Sequence, residues 1–141
     1  NVTAADVLDA TDYVAAAIEI VDSRVADWKI NIIDTVSDNA SSGMYVFSDK
    51  KVDPKVVDLK AVTMNLLRNG EVINSGKGTD VLGDPANCVA MLANQLADFG
   101  VSLKAGEVIL SGALSAMKAV EAGDVWTASF SELGDCSVKF I

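Results

Sequence analysis

Asn69-Gly70 fixes a reversal of the chain. Both central residues of a two-residue hairpin turn need positive φ, and this dipeptide adopts it at low cost. Before it, Val62, Met64 and Leu66 alternate with Thr63 and Asn65. The pattern predicts paired strands over 61–68 and 71–75 with one apolar face. The C-terminal third continues in the same style. Trp126, Ala128 and Phe130 share one face, and Cys136, Val138 and Phe140 share another, with Leu133-Gly134-Asp135 as the turn between them. Lys104-Ala105-Gly106-Glu107 turns into Val108-Ile109-Leu110, read as a further short strand that ends at Ser111-Gly112-Ala113-Leu114. Such a succession of short strands and tight turns points to a β-rich α+β chain.

Helices are placed by their caps. Thr3 caps a helix with Asp6 at its third position, and the spacing of Val7, Leu8, Thr11, Val14 and Ile18 extends it over 4–16. Asp84 caps another with Pro85 at its first position. Cys88, Val89, Leu92, Ala93, Leu96 and Phe99 form its apolar stripe, and Gly100 ends it. Residues 26–36 suit a short helix by spacing but are β-branched. Residues 38–43 read as a polar loop, 44–47 as a short buried strand, and 48–58 as a charged connection with a helical turn after Pro54. Gly76, Gly78 and Gly83 do not stand between a strand and a helix in the dinucleotide-binding pattern.

With 141 residues, half of them hydrophobic, the chain is long enough for one domain with a real core. No apolar run approaches the length of a bilayer span, and the start has no signal-peptide pattern. The balance of 20 acidic against 11 basic residues, a net charge of -9, repels nucleic acid and anionic membranes and suits a soluble cytoplasmic protein. Cys88 and Cys136 read as buried free thiols of a reducing compartment. There is no histidine, so Ser-His and Cys-His catalysis and most zinc sites are excluded. Acid–base chemistry must use Asp, Glu, Lys, Tyr, Cys or a metal-bound water.

One charge interrupts the apolar run 15–21. Glu19 stands among Ala17, Ile18, Ile20 and Val21. In a strand it faces away from Ile18 and Ile20, onto a face that must be wet or supply a partner, because an unpaired buried carboxylate is costly. A divalent cation, an Arg or Lys, and a plain edge position each satisfy that requirement.

Several stretches together carry a resemblance. They are Ala17-Ile18-Glu19-Ile20-Val21-Asp22-Ser23-Arg24, Asp27-Trp28-Lys29, Asp38-Asn39-Ala40-Ser41-Ser42-Gly43, Val81-Leu82-Gly83-Asp84-Pro85-Ala86-Asn87, Leu103 to Ala113, and Leu133 to Val138. In order and spacing they resemble the 2-keto-4-pentenoate hydratases of the fumarylacetoacetate hydrolase superfamily, over nearly the whole chain. The resemblance implies a mixed β-sandwich roll with flanking helices. It implies Mg²⁺ or Mn²⁺ held by three carboxylates, of which Glu19 is one and a Glu-x-Glu pair supplies two. No Glu-x-Glu occurs in these 141 residues. The resemblance therefore implies that 1–141 is one catalytic-type domain without the family's upstream part.

It also implies a chemistry: a 2-hydroxydienoic acid chelates the metal, ketonises, and takes up water at C4. The residues placed near such a substrate are Ser41 and Lys29, as catalytic groups, with Ser41, Gly112, Ala113 and Leu114 as substrate contacts. Ser41 reads equally as a loop cap, Lys29 as a solvated side chain, and residues 111–114 as a plain turn. Arg24 and Asp22 read as a structural ion pair. A related decarboxylase acting on 4-oxalocrotonate, and an inactive fragment or oligomerisation module, are the competing functions. The expected partners are a small 2-hydroxy or 2-oxo dienoic acid and further copies in a homo-oligomer, with neither nucleic acid nor membrane.

Overall fold

The computed structural model describes residues 1–141. Two sheets organise the chain, and every pairing in them is antiparallel. The smaller joins β1 (Ala17–Val21) to β2 (Ser42–Phe47). The larger has β3 (Thr63–Arg68), β4 (Glu71–Lys77), β5 (Val125–Phe130) and β6 (Gly134–Lys139) in the order β4-β3-β5-β6. Helices α1 (Ala4–Ala10), α2 (Ile32–Ser37) and α3 (Pro85–Ala97) flank them. The α+β, sheet-rich class is as expected, and the two sheets remain open rather than closing into one barrel.

The hairpin forms where Asn69-Gly70 puts it, with φ of 53° and 88° at the two turn residues. Between the sheets lies the main core. Ala16, Val62, Leu133 and Cys136 are buried, with Val14, Ile18, Val46, Val52, Val57 and Phe130 packed around them. Ile18 and Val46 come from the small sheet, and Phe130 and Cys136 from the large one. The Cys136 thiol donates to the Val46 carbonyl at 3.4 Å, and burial raises its pKa, so it is a packing thiol.

Three expectations are corrected. Helix α1 stops at Ala10, not Ala16, because the backbone of Val14 exchanges hydrogen bonds with Val52 at 2.9 Å and Ser48 donates to the Ala16 carbonyl. Tertiary pairing overrides the helical spacing there. Val108-Ile109-Leu110 is not a strand, since its backbone forms no hydrogen bonds with any other segment. The stripe of α3 is rotated: Pro85, Ala86 and Ala90 are its buried residues, while Phe99 is 82 % exposed. The ambiguous stretch 26–36 resolves into a 3-10 turn at Ala26–Trp28 followed by α2.

Candidate active site

Glu19 sits in the middle of β1, opposite Tyr45 of β2. Alternation puts its side chain on the face away from Ile18 and Ile20, as the pattern required. That face is wet: Glu19 is exposed and makes neither a hydrogen bond nor an ion pair. Directly opposite residues of antiparallel strands stand about 5 Å apart. Tyr45 thus shares the face of Glu19, and it stacks on Phe47 with centroids 6.1 Å apart.

At the end of the same sheet, the chain between α2 and β2 forms a tight left-handed turn. Asn39, Ala40 and Ser41 have φ of 51°, 57° and 55°. Residues bearing a Cβ disfavour this region, so three in succession require outside support. Asp38 and Arg24 provide it. The Arg24 Nε pairs with the Asp38 carboxylate, and its two Nη atoms donate to the carbonyls of Asp22, Ser42 and Asp38. The Asp38 carboxylate also accepts from the Arg24 backbone N–H at 3.1 Å, from Ser23 Oγ at 3.4 Å and from Ser41 Oγ at 3.0 Å. Burial pushes the Asp38 carboxyl up, but the hydrogen bonds from Arg24 and Ser41 outweigh it and hold the group below the usual carboxylate range. The expected Arg24–Asp22 ion pair is thus corrected. Arg24 touches only the Asp22 carbonyl, and its carboxylate partner is Asp38, fourteen residues further on.

Ser41 is 2 % exposed, and its carbonyl accepts from Asp22 N–H at 2.8 Å, which ties the turn to the end of β1. Lys29 stands elsewhere. Its ammonium meets Asp27 at 3.1 Å, with both side chains about three-quarters exposed, an arrangement that contributes little. Gly112, at φ 111°, lies against Val81 and Cys88, and the Leu114 carbonyl lies over Gly76 of β4. Residues 112–114 make no backbone N–H hydrogen bonds, so their donors are free, but no contact joins them to Glu19 or Ser41. The structure thus sets Glu19 in the middle of the small sheet and Ser41 in the turn at its end, and no hydrogen bond joins either to Lys29 or to Gly112–Leu114. Asp38 is the member of this site that the sequence reading passed over. Its only signal was its place in a polar loop.

Glu19 is an oxygen donor of the kind a hard cation takes. No group of three Asp, Glu, Cys or His side chains is placed to hold a metal ion. One carboxylate does not hold such an ion, so these residues do not by themselves form a metal centre.

The chain is a sheet-rich α+β fold with the exposed Glu19 carboxylate on an open two-stranded sheet. The chain belongs to the fumarylacetoacetate (FAA) hydrolase C-terminal family, which matches residues 1–141. It is 50 % identical over 140 residues to a 2-hydroxyhexa-2,4-dienoate hydratase of Comamonas testosteroni, covering 99 % of this chain and 53 % of that protein. It is 47 % identical over 135 residues to a 2-keto-4-pentenoate hydratase of Paraburkholderia xenovorans (strain LB400), covering 96 % and 50 %. Among solved structures it is similar to the 4-oxalocrotonate decarboxylase from Pseudomonas putida G7 complexed with magnesium and adipate. The TM-score is 0.94 at 39 % identity, over 98 % of this chain and 52 % of that one. The chain spans about half the length of the curated relatives it matches.

Proposed function

We propose that the protein carrying this chain is a hydratase that adds water to 2-hydroxypenta-2,4-dienoate, giving 4-hydroxy-2-oxopentanoate in aromatic meta-cleavage catabolism. What supports this reading most is the identity to proteins named as dienoate hydratases across nearly all of the chain. The enol ketonises to a 2-oxo acid whose double bond moves into conjugation. Water then adds its oxygen at C4 and a proton at C3, so one substrate and one water give one product.

A divalent cation, Mg²⁺ or Mn²⁺, would supply Lewis acidity to the substrate oxygen. Glu19 would be one ligand, and the remaining ligands would come from outside these 141 residues, in the part that would complete the catalytic domain. Ser41 holds or orients a water or substrate hydroxyl. The free N–H groups of Gly112, Ala113 and Leu114 donate to a substrate carboxylate. Lys29 joins them only after leaving Asp27, which its exposure makes easy. The net charge of -9 disfavours nucleic acid and anionic membranes as partners, and no helix is long and apolar enough to cross a membrane. A cytoplasmic homo-oligomer acting on a small dienoic acid is the corresponding setting.

A decarboxylase acting on 4-oxalocrotonate is the rival, favoured by the solved structure; the two hydratases compared above are closer in sequence. Product analysis of the complete gene product decides. The hydratase reading predicts 4-hydroxy-2-oxopentanoate from 2-hydroxypenta-2,4-dienoate and no carbon dioxide from 4-oxalocrotonate. Carbon dioxide release without hydration contradicts it.

A further inference from the structure

We propose that Asp38 is a positioning residue that makes the Ser41 hydroxyl a hydrogen-bond acceptor, so that the ligand atom Ser41 meets carries a proton: a water or an enol hydroxyl, and not a carboxylate or keto oxygen. The inference rests on the hydratase reading and assigns the polarity of one of its contacts.

A serine hydroxyl has one proton to give and two lone pairs to receive. An ionised carboxylate only accepts. At 3.0 Å between Ser41 Oγ and Asp38 Oδ2, the proton on that line therefore belongs to Ser41. Asp38 is kept ionised by its neighbours, since Arg24 contributes both Nε and its backbone N–H. The Asp38 side chain is 10 % exposed, so water competes poorly for it. Turning the hydroxyl to offer its proton elsewhere gives up this bond to an ionised oxygen, which Ser41 shares with the Arg24 N–H and Ser23 Oγ. The left-handed turn Asn39–Ser41 brings the hydroxyl to this carboxylate, and Arg24 fastens the turn through the carbonyls of Asp38 and Ser42. Ser41 is 2 % exposed, so its hydroxyl is shielded from bulk water. Of the atoms in the proposed reaction, the attacking water and the 2-hydroxyl of the dienol carry the proton such an acceptor needs.

The test is a cycle of Asp38→Asn, Ser41→Ala and the double variant in the complete gene product. Asparagine presents an amide that donates to Ser41 and frees the hydroxyl proton, which inverts the contact. Asp38→Asn is expected to lower kcat roughly ten- to hundredfold, the range for hydrogen bonds to charged groups. Inhibition by oxalate, which offers only acceptors, is expected to change less than about threefold. Ser41→Ala added to Asp38→Asn should lower kcat no further, because Asp38 acts through Ser41. Asp38→Glu, which keeps the acceptor, should recover part of the loss. Additive losses in kcat, or oxalate binding that falls in step with kcat, overturn the proposal. Urea unfolding of the same four proteins gives a readout independent of turnover. Coupling between the two sites is expected, and its absence overturns the Ser41–Asp38 bond itself. Coupling in a protein that does not hydrate the dienoate overturns the hydratase reading and leaves the hydroxyl's polarity standing. Where Asp38→Asn fails to fold, Ser41→Ala alone decides: kcat is expected to fall while oxalate inhibition changes less than about threefold, and oxalate binding that falls in step with kcat overturns the proposal.

Discussion

Asp124 shows how a single side chain fixes the hairpin end of the large sheet. Its carboxylate accepts from Arg68 Nε at 2.9 Å, Asn69 Nδ2 at 3.1 Å, the Glu121 N–H at 3.0 Å and Trp126 Nε1 at 3.4 Å. The Arg68 guanidinium, against the opposing effect of burial and with help from Glu121 and Asn69, lowers its pKa from 3.8 to about 2. A carboxyl with a depressed folded-state pKa stabilises the fold above its unfolded value and loses that contribution as pH falls towards the folded one. The stabilisation is therefore complete above about pH 4 and fades between about pH 4 and pH 2. Thermal melts of the protein and its Asp124→Asn variant should differ most near neutral pH and converge across that window. A gap that stays constant down to pH 2 contradicts the assignment. At this scale the sequence was partly legible. Alternation alone told which way Glu19 faces, because strand periodicity needs no tertiary information. Asp38 was not legible, because apart from Ser41 its donors come from Arg24 and Ser23, far along the chain, and only folding brings them together.

Between elements, the contacts that matter are made where side chains are missing. A Cβ on Gly76 of β4 would stand 2.0 Å from the Leu114 carbonyl oxygen, so only glycine lets residues 111–114 cross the strand. Gly76→Ala should destabilise the protein by about 1–3 kcal/mol, as overpacking against backbone does, and should raise proteolytic cleavage within 111–120. Unchanged stability in chemical denaturation and unchanged cleavage would mean the crossing is not close-packed. The strand expected over 108–110 does not form. Its apolar run is real, but a strand needs a neighbour with free backbone groups, and none in these residues pairs with it. The hairpin, α3 and the last two strands were legible because caps, turn residues and alternation specify them locally. Helix α1 was overextended because helical spacing through Val14 competes with a β-bridge that spacing does not encode.

As a whole, the chain is more open than its size calls for. A compact monomer of 14.7 kDa exposes about 6,900 Å², whereas this chain exposes 9030 Å². Only 15 of its 141 residues are buried, and no large side chain is fully buried. Ile32, Ile33 and Val36 of α2 are each more than 70 % exposed, an apolar patch beside the turn that holds Ser41. The chain thus presents an open apolar face beside the small sheet that carries Glu19. Under the proposed function, Glu19 is one ligand of a divalent metal. The measurement that tests it most directly is calorimetric titration of magnesium, with oxalate present, into the complete gene product and its Glu19→Ala variant. Loss of a surrounding, indirect partner already costs about 10- to 100-fold in metal affinity, so the account predicts at least a tenfold weaker binding in the variant. Equal binding by the two proteins would contradict it.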